Sequence, residues 1–334
     1  TFYSIDPLIF RQQLFFLIFS IFSYLMFLMI DYRFIALYSR KLYFVMLGLL
    51  IILFFVGVEA RGAVRWIDIF GVRIQFSEIF KPFMIIFFAS YLSKDESKSL
   101  SKFIKALLLM LPVFLLTLRQ PDLGNAIIYI FTLIFMLFMN GFPMRYFVSL
   151  GTLVLIPLPL FFQFLHDYQK KRIFSFFDYS YDPFGSSYNA IQSVISVGSG
   201  SIFGKGLGQA TQSILKFLPE RHTDFIFATI AESTGLVGAL FLLTIYAIFL
   251  YQIFRISNNV RDEFSRLALY GFFFLFLIHI FFNIGMNVGI LPIVGITLPF
   301  VSYGGSSLLS NFTMLGLISA MGFESKRGIS IEIK

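Results

Sequence analysis

An all-α polytopic membrane protein is predicted by three observations. The 334 residues are 58% hydrophobic and 13% charged, with 48 Phe, and the mean hydropathy is +0.84; no water-soluble domain hides that much apolar surface. Uncharged apolar runs long enough to cross a bilayer recur along the chain. Residues 267–323 contain no Asp, Glu, Lys or Arg. The absence of cysteine excludes disulfides and thiolate metal sites. A net charge of +8 would suggest nucleic acid in a soluble chain. Here basic loops at a membrane surface account for it, so no nucleic-acid partner is expected.

About nine spans are expected. They lie near 13–31, 42–58, 76–93, 103–119, 124–141, 146–165, 225–252, 267–284 and 304–323. The fourth requires Lys102 and Lys105 to snorkel at its end. Lys and Arg are denser in the connections 32–41, 94–105, 140–145 and 253–266 and in the tail 323–334. The positive-inside rule makes that side cytoplasmic. The segment 166–223 then forms a large extracytoplasmic loop, and a loop that long in a chain of short connections is usually functional. The whole chain, 1–334, reads as a single membrane domain.

The most informative segment is FLPERHTDFIFATIAESTGLVG, residues 217–238. It places Asp224 where a polar loop gives way to an apolar helix, beside Arg221 and His222. Two readings stand: Asp224 caps the helix, or it is a base whose proton affinity is raised by desolvation at the membrane face. In the entry to the third span, Glu78 and Lys81 are three apart and share a helix face with Gln75 and Ser77 nearby. They form either a surface ion pair or part of a site. Residues 119–124 are a Pro/Gly turn carrying Gln120 and Asp122. Lys170, Lys171 and Arg172 are either a solvated basic cluster or a phosphate grip. In residues 283–307, glycines and prolines interrupt a hydrophobic stretch; such backbone must be packed in protein or line a cavity. His279 is expected to be structural, with a polar partner across the bundle. Glu232, about two turns into its span, is expected to face a central cavity.

Taken together these segments resemble the SEDS family (shape, elongation, division and sporulation), the FtsW/RodA/SpoVE glycosyltransferases of bacterial cell-wall synthesis. The matching motifs are R-W at Arg65 and Trp66, Q-x-S-E-x-x-K at 75–81, Q-P-D-L-G at 120–124 and Y-Q-x-x-R-I at 168–173. They continue with G-S-G and G-K-G-x-G-Q within 198–209, L-P-E-x-H-T-D-F-I-F at 218–227 and L-P-F-x-S-Y-G-G-S-S at 298–307. They occur in the family's order. The chain departs from the pattern at Phe76, where the family usually has Pro, at Ser201, where it has Gly, and at Ser233, where it has a second acid. The family's ten spans imply that the first precedes Phe2, so the chain is expected to begin at the outer end of that helix. The Q-P-D-L-G form is more similar to the elongation branch than to the division branch.

The resemblance implies a substrate and roles. The substrate is lipid II, whose growing glycan is transferred from lipid pyrophosphate to the GlcNAc 4-hydroxyl of another lipid II. Inversion calls for one base, Asp224. Positive charge on the leaving pyrophosphate would come from Lys81, Arg65, Lys171 and Arg172, with a divalent cation (Mg2+ or Mn2+) and no organic cofactor. Alternatively Lys81 pairs with Asp224, and Glu78 orients the lysine. Trp66, Gln75, Ser77, Gln120, Asp122, His222, Ser302, Tyr303 and Gly304 complete the expected substrate site. The expected partners are a class B penicillin-binding protein transpeptidase and other elongation-complex membrane proteins. A lipid II flippase is the main rival and a scaffold the other. A proton-coupled flippase would carry several ionisable groups at mid-bilayer, whereas these cluster at the expected outer edge.

Overall fold

The computed structural model describes residues 7–60, 63–69, 72–95, 97–156, 170, 174, 176–178, 181–182, 185, 187–215 and 217–331. The helices are α1 (Pro7–Met29), α2 (Tyr32–Val56), α3 (Phe76–Ser93), α4 (Leu100–Arg119), α5 (Leu123–Met139), α6 (Met144–Leu155), α7 (Tyr188–Ser199), α8 (Thr211–Ile214), α9 (Ile226–Asn259), α10 (Glu263–Asn287) and α11 (Gly305–Ile331). Seven of them, α1 to α4 and α9 to α11, are long and apolar enough to cross a membrane; α5 and α6 are shorter apolar helices. The protein is a multi-pass, predominantly helical membrane protein. The chain divides into two compact units. One contains residues 144–248 and 279–303; the other contains 8–143, 249–278 and 304–334.

Two connections differ from expectation. Residues 32–41 are not a loop: α1 ends at Met29, and α2 begins at Tyr32 behind the N-cap Asp31, whose carboxylate accepts the Arg33 amide at 2.9 Å. Arg33, Arg40 and Lys41 therefore ride on the helix, which suits their high helix propensity and long stems. The link from α2 to α3 holds a small antiparallel sheet of β1 (Val58–Ala60), β2 (Ala63–Ile69) and β3 (Val72–Ile74), in the order β1-β2-β3. Asp68 lies opposite Arg73 in that ladder, a favourable cross-strand charge pair.

In the larger unit, α3 is the central helix and packs against α2, α5 and α11. Its end is closed by Lys102, which does not snorkel: it is buried, and its ammonium donates to the Leu92 carbonyl at 2.8 Å and to the Asp95 carbonyl. A cation at a helix C-terminus satisfies the orphan carbonyls there. Nearby, Asn140 accepts from Lys98 at 2.5 Å and donates to Glu263 at 3.2 Å. In the smaller unit, Leu218, Phe225 and Ala228 form a buried cluster against Val197 and Ile293.

Helix α10 approaches α3 and α5 at Gly271, where a Cβ would lie 2.7 Å from Ile85 Cγ2 and 3.0 Å from Met136 Sδ. Gly271→Val should therefore destabilise the protein by about 1–3 kcal/mol through overpacking. Thermal unfolding in detergent checks this, and an unchanged midpoint would contradict the close approach.

Candidate active site

The sequence-predicted residues fall into two polar clusters, one in each unit. In the larger unit, helix α3 starts behind Gln75, and its first turn brings Glu78 and Lys81 onto one face. Lys81 Nζ donates to Glu78 Oε1 at 2.7 Å, with side chains 1% and 10% exposed. This is a buried pair, not the surface pair that spacing alone allows. Its desolvation has to be offset by the mutual attraction and by further hydrogen bonds.

Asp122 is the hub beside it. It is the N-cap of α5, accepting the Asn125 amide at 3.3 Å on Oδ1. Its Oδ2 accepts from Gln75 Nε2 at 2.9 Å, Asn125 Nδ2 at 2.9 Å and the Ser77 hydroxyl at 3.3 Å. Arg65, on β2, reaches Asp122 at 3.9 Å and donates through Nε to the Gln120 carbonyl at 2.9 Å and through Nη2 to that of Pro121. Gln120 in turn donates to the Leu50 carbonyl at 3.2 Å. The Pro/Gly turn is thus both a structural turn and a junction of charged groups. The Gln75 amide donates to Ser306 Oγ at 2.9 Å, tying the start of α3 to the start of α11. Trp66 is half-buried on β2, paired with Val58. Gly304 immediately precedes α11, and its carbonyl accepts the Leu308 amide at 2.9 Å.

In the smaller unit, the approach to α9 is held by its backbone. Three consecutive carbonyls accept bonds from residues 283–303. Tyr303 N donates to His222 O at 2.7 Å, and Ser302 Oγ donates to Thr223 O at 2.7 Å. Asn283 Nδ2 and Asn287 Nδ2 donate to Asp224 O at 3.0 and 2.9 Å. Asn287 Oδ1 also accepts the Ala228 amide at 3.0 Å, within the first turn of α9. The buried ring of Phe225 anchors the next position. Asp224 is half-buried, and Gly295 sits beside its carboxylate: a Cβ there would be 3.5 Å from Oδ2. The clamp fixes the direction in which that carboxylate leaves the chain.

His222 Nε2 accepts from Arg221 Nε at 3.1 Å, a bond that only the unprotonated ring nitrogen can make. Burial first, and then the Arg221 charge, holds the His222 pKa below its ordinary value. Burial also lowers that of Arg221. His222 therefore acts as a supporting acceptor. His279 Nδ1 lies 3.2 Å from the Thr297 carbonyl, so its expected polar partner is backbone. Glu232 is fully buried and lies against Lys205 at 3.2 Å and the Gln212 amide at 2.9 Å, not open to a cavity as expected. Lys171 and Arg172 lie outside the described residues. Sequence reasoning missed Asn125, Asn283, Asn287, Ser306 and Lys205. The available signal was two asparagines four apart, one helix face, in a run without charged residues.

Two outcomes follow from these geometries. Lys81→Met leaves Glu78 buried without its ammonium and should cost about 3–5 kcal/mol, with Glu78→Gln/Lys81→Met recovering part of the loss. Thermal unfolding of the three proteins reads this directly, and equal midpoints for the single and double variants would refute it. A depressed His222 pKa means the folded state resists a proton the unfolded chain takes up. Stability should therefore fall as pH drops below about 6.5. Comparing the pH dependence of the unfolding midpoint with that of His222→Gln isolates the effect, which is absent if the two curves run parallel.

Comparison with known proteins agrees with this picture. A model of the FtsW/RodA/SpoVE family, described as cell cycle protein, matches residues 3–327. The chain is 40% identical over 286 residues to the peptidoglycan glycosyltransferase MrdB of Escherichia coli, covering 85% of this chain and 77% of that protein. It is 34% identical over 326 residues to the probable peptidoglycan glycosyltransferase FtsW of Wigglesworthia glossinidia brevipalpis, covering 94% and 84%. Among solved structures it is similar to a chain of a peptidoglycan synthase complex, with TM-score 0.83, 29% identity and coverage of 96% and 91%. It is also similar to the rod shape determining protein RodA of Thermus thermophilus, with TM-score 0.72, 26% identity and coverage of 96% and 89%. On the extent of the family match and on these identities, the chain belongs to the FtsW/RodA/SpoVE family.

Proposed function

We propose that the chain is a peptidoglycan glycosyltransferase that polymerises lipid II at the outer face of the bacterial cytoplasmic membrane, with Asp224 as general base. The observation that carries the reading is the clamp on three successive carbonyls, His222, Thr223 and Asp224. It holds an acid in a fixed direction at the mouth of a membrane helix, as a positioned proton acceptor requires. The names of the relatives, peptidoglycan glycosyltransferases, support the reaction class.

In this reaction the 4-hydroxyl oxygen of one lipid II attacks the anomeric carbon of the growing strand. The bond from that carbon to the pyrophosphate oxygen breaks, and undecaprenyl pyrophosphate leaves with the electron pair. The hydroxyl proton passes to Asp224. A single displacement inverts the configuration and needs one base. Glu78 orients Lys81, and Gln75, Ser77, Arg65, Gln120 and Asp122 form the polar wall of the same unit. Trp66 and Gly304 on the larger unit, and Ser302 and Tyr303 on the smaller, are each proposed to meet substrate, and His222 supports the base by its backbone. Lys171 and Arg172 supply cations for the pyrophosphate. A divalent cation, Mg2+ or Mn2+, enters the proposal as a counter-ion carried by that group. Among the described residues no group of three or more His, Asp or Glu is placed to hold a metal ion, and no step is assigned to one.

The similarity to a chain of a peptidoglycan synthase complex supports a class B penicillin-binding protein as partner. The Q-P-D-L-G form of residues 120–124 favours service in cell elongation. The deciding experiment is lipid II polymerisation by the purified chain with a transpeptidase partner, against Asp224→Ala at matched folding. Loss of at least about a hundredfold is expected. Undiminished polymer from the variant would remove Asp224 from the chemistry. Wild-type protein that makes no polymer but moves lipid II across a vesicle bilayer would make the protein a transporter.

A further inference from the structure

We infer that Glu232 is a positioning residue: it latches the glycine-rich segment 200–212 into a break in α9 and thereby fixes the loop that ends in Asp224. This rests on the reading of Asp224 as the base.

Helix α9 leaves helical geometry at Gly235, φ 68 and ψ −165. Within an apolar span, the backbone groups released by such a break need partners from the protein. The segment 201–206 supplies them. Lys205 N donates to Glu232 O at 3.0 Å and Gly206 N to Ser233 O at 3.0 Å. In the other direction, Leu236 N donates to Ser201 O at 3.0 Å and Val237 N to Ile202 O at 3.1 Å. The two backbones approach so closely that only glycine fits on both sides. A Cβ on Gly204 would lie 2.3 Å from Ser233 O, and one on Gly235 would lie 2.3 Å from Gly204 N.

Glu232 adds a directed tie to this docking. Its side chain is fully buried, so its carboxylate is costly unless matched. Oε1 receives Lys205 Nζ at 3.2 Å, the Gln212 amide at 2.9 Å and Thr211 Oγ1 at 3.5 Å. Lys205 also donates to Thr211 Oγ1 at 3.0 Å. One acid therefore holds both the glycine segment and the start of α8. From α8 the chain returns to α9 within residues 215–225, where Leu218 packs on Phe225 and Ala228. The loop is pinned to α9 at both ends, and Asp224 is its last polar residue. A purely packing role would be served as well by an apolar side chain of similar volume; the carboxylate adds directed contacts that fix the position of the segment.

The test uses Glu232→Gln, Lys205→Met and their combination in the full chain with its transpeptidase partner. Three quantities are measured: hydrogen exchange of the amides in 201–215 and 236–237, kcat and KM for lipid II polymerisation, and the unfolding midpoint. Each single variant should speed exchange there about tenfold. Each should also lower kcat roughly tenfold through misplacement of the base, with KM little changed. The midpoint should hold in Glu232→Gln, which is neutral and isosteric, and fall in Lys205→Met, which leaves a buried carboxylate without its ammonium. The double variant should be no worse than either single, because both remove one interaction. Wild-type exchange rates in the singles, additive losses in the double, or a fall in kcat that only tracks the midpoint would each overturn the latch. Asp224→Ala, measured alongside, separates the two readings. If that variant polymerises normally the base assignment fails, while the exchange data still judge the latch.

Discussion

Backbone that leaves helical geometry inside an apolar span has to find hydrogen-bond partners within the protein, and much of the polar architecture of this chain answers that requirement. The stretch between α10 and α11, residues 288–304, has no regular secondary structure. Its carbonyls at Ile296, Thr297 and Pro299 meet Asn283, His279 and the Tyr246 hydroxyl. Its Ser302 hydroxyl accepts the Leu298 amide and donates to Thr223. The break in α9 is met by backbone instead. In both places the side chains and loops that satisfy irregular backbone also fix the residues around Asp224. Solving the solvation problem and building a rigid site are the same act here.

Charged side chains obey the same rule. Among the described residues, the buried acids Glu78, Asp122 and Glu232 each sit in a shell of donors: an ammonium, two amides with a hydroxyl, and an ammonium with a backbone amide. Asp224 is more exposed than these three, and the Asn283 and Asn287 amides that reach it hold its carbonyl. At Asp224 the described clamp therefore acts on the backbone that presents the side chain.

Much of this was legible in the sequence. Hydropathy located seven of the expected spans on α1 to α4 and α9 to α11, because a bilayer imposes length and apolarity together, although α2 begins at Tyr32 and not near 42. The runs expected at 124–141 and 146–165 contain the shorter helices α5 and α6, with 157–165 outside the described residues. The ordered motifs carried the family. Spacing alone also placed Glu78 and Lys81 on one face. What could not be read was burial: three residues of separation look alike whether the pair faces water or the interior. Asp122 as a hub, and Glu232 as a tie to Lys205, depend on contacts across 45 or 27 positions, and local pattern holds no record of those. The helix over residues 32–41 was obscured by Arg33, Arg40 and Lys41, which signal a loop to the positive-inside rule yet favour helix by propensity.

The geometry also bears on what Lys81 can contribute to the proposed chemistry. An isolated ammonium near a pyrophosphate would attract it by about 4 kcal/mol per unit charge at 4 Å in a protein-like dielectric. Lys81 is not isolated: Glu78 stands 2.7 Å away, so seen from a few ångströms the pair carries little net charge. Arg65 directs its donors to the Gln120 and Pro121 carbonyls and has Asp122 at 3.9 Å. Both described cations of the expected phosphate set are thus already matched to acids. In the proposed chemistry the greater part of the charge on the pyrophosphate is therefore assigned to Lys171, Arg172 or a divalent counter-ion of the substrate. A matched lysine keeps its hydrogen-bond donors, however. Held rigidly by Glu78, Lys81 is suited to orient an oxygen in the site more than to neutralise it, and that function demands the burial and short contact the structure provides.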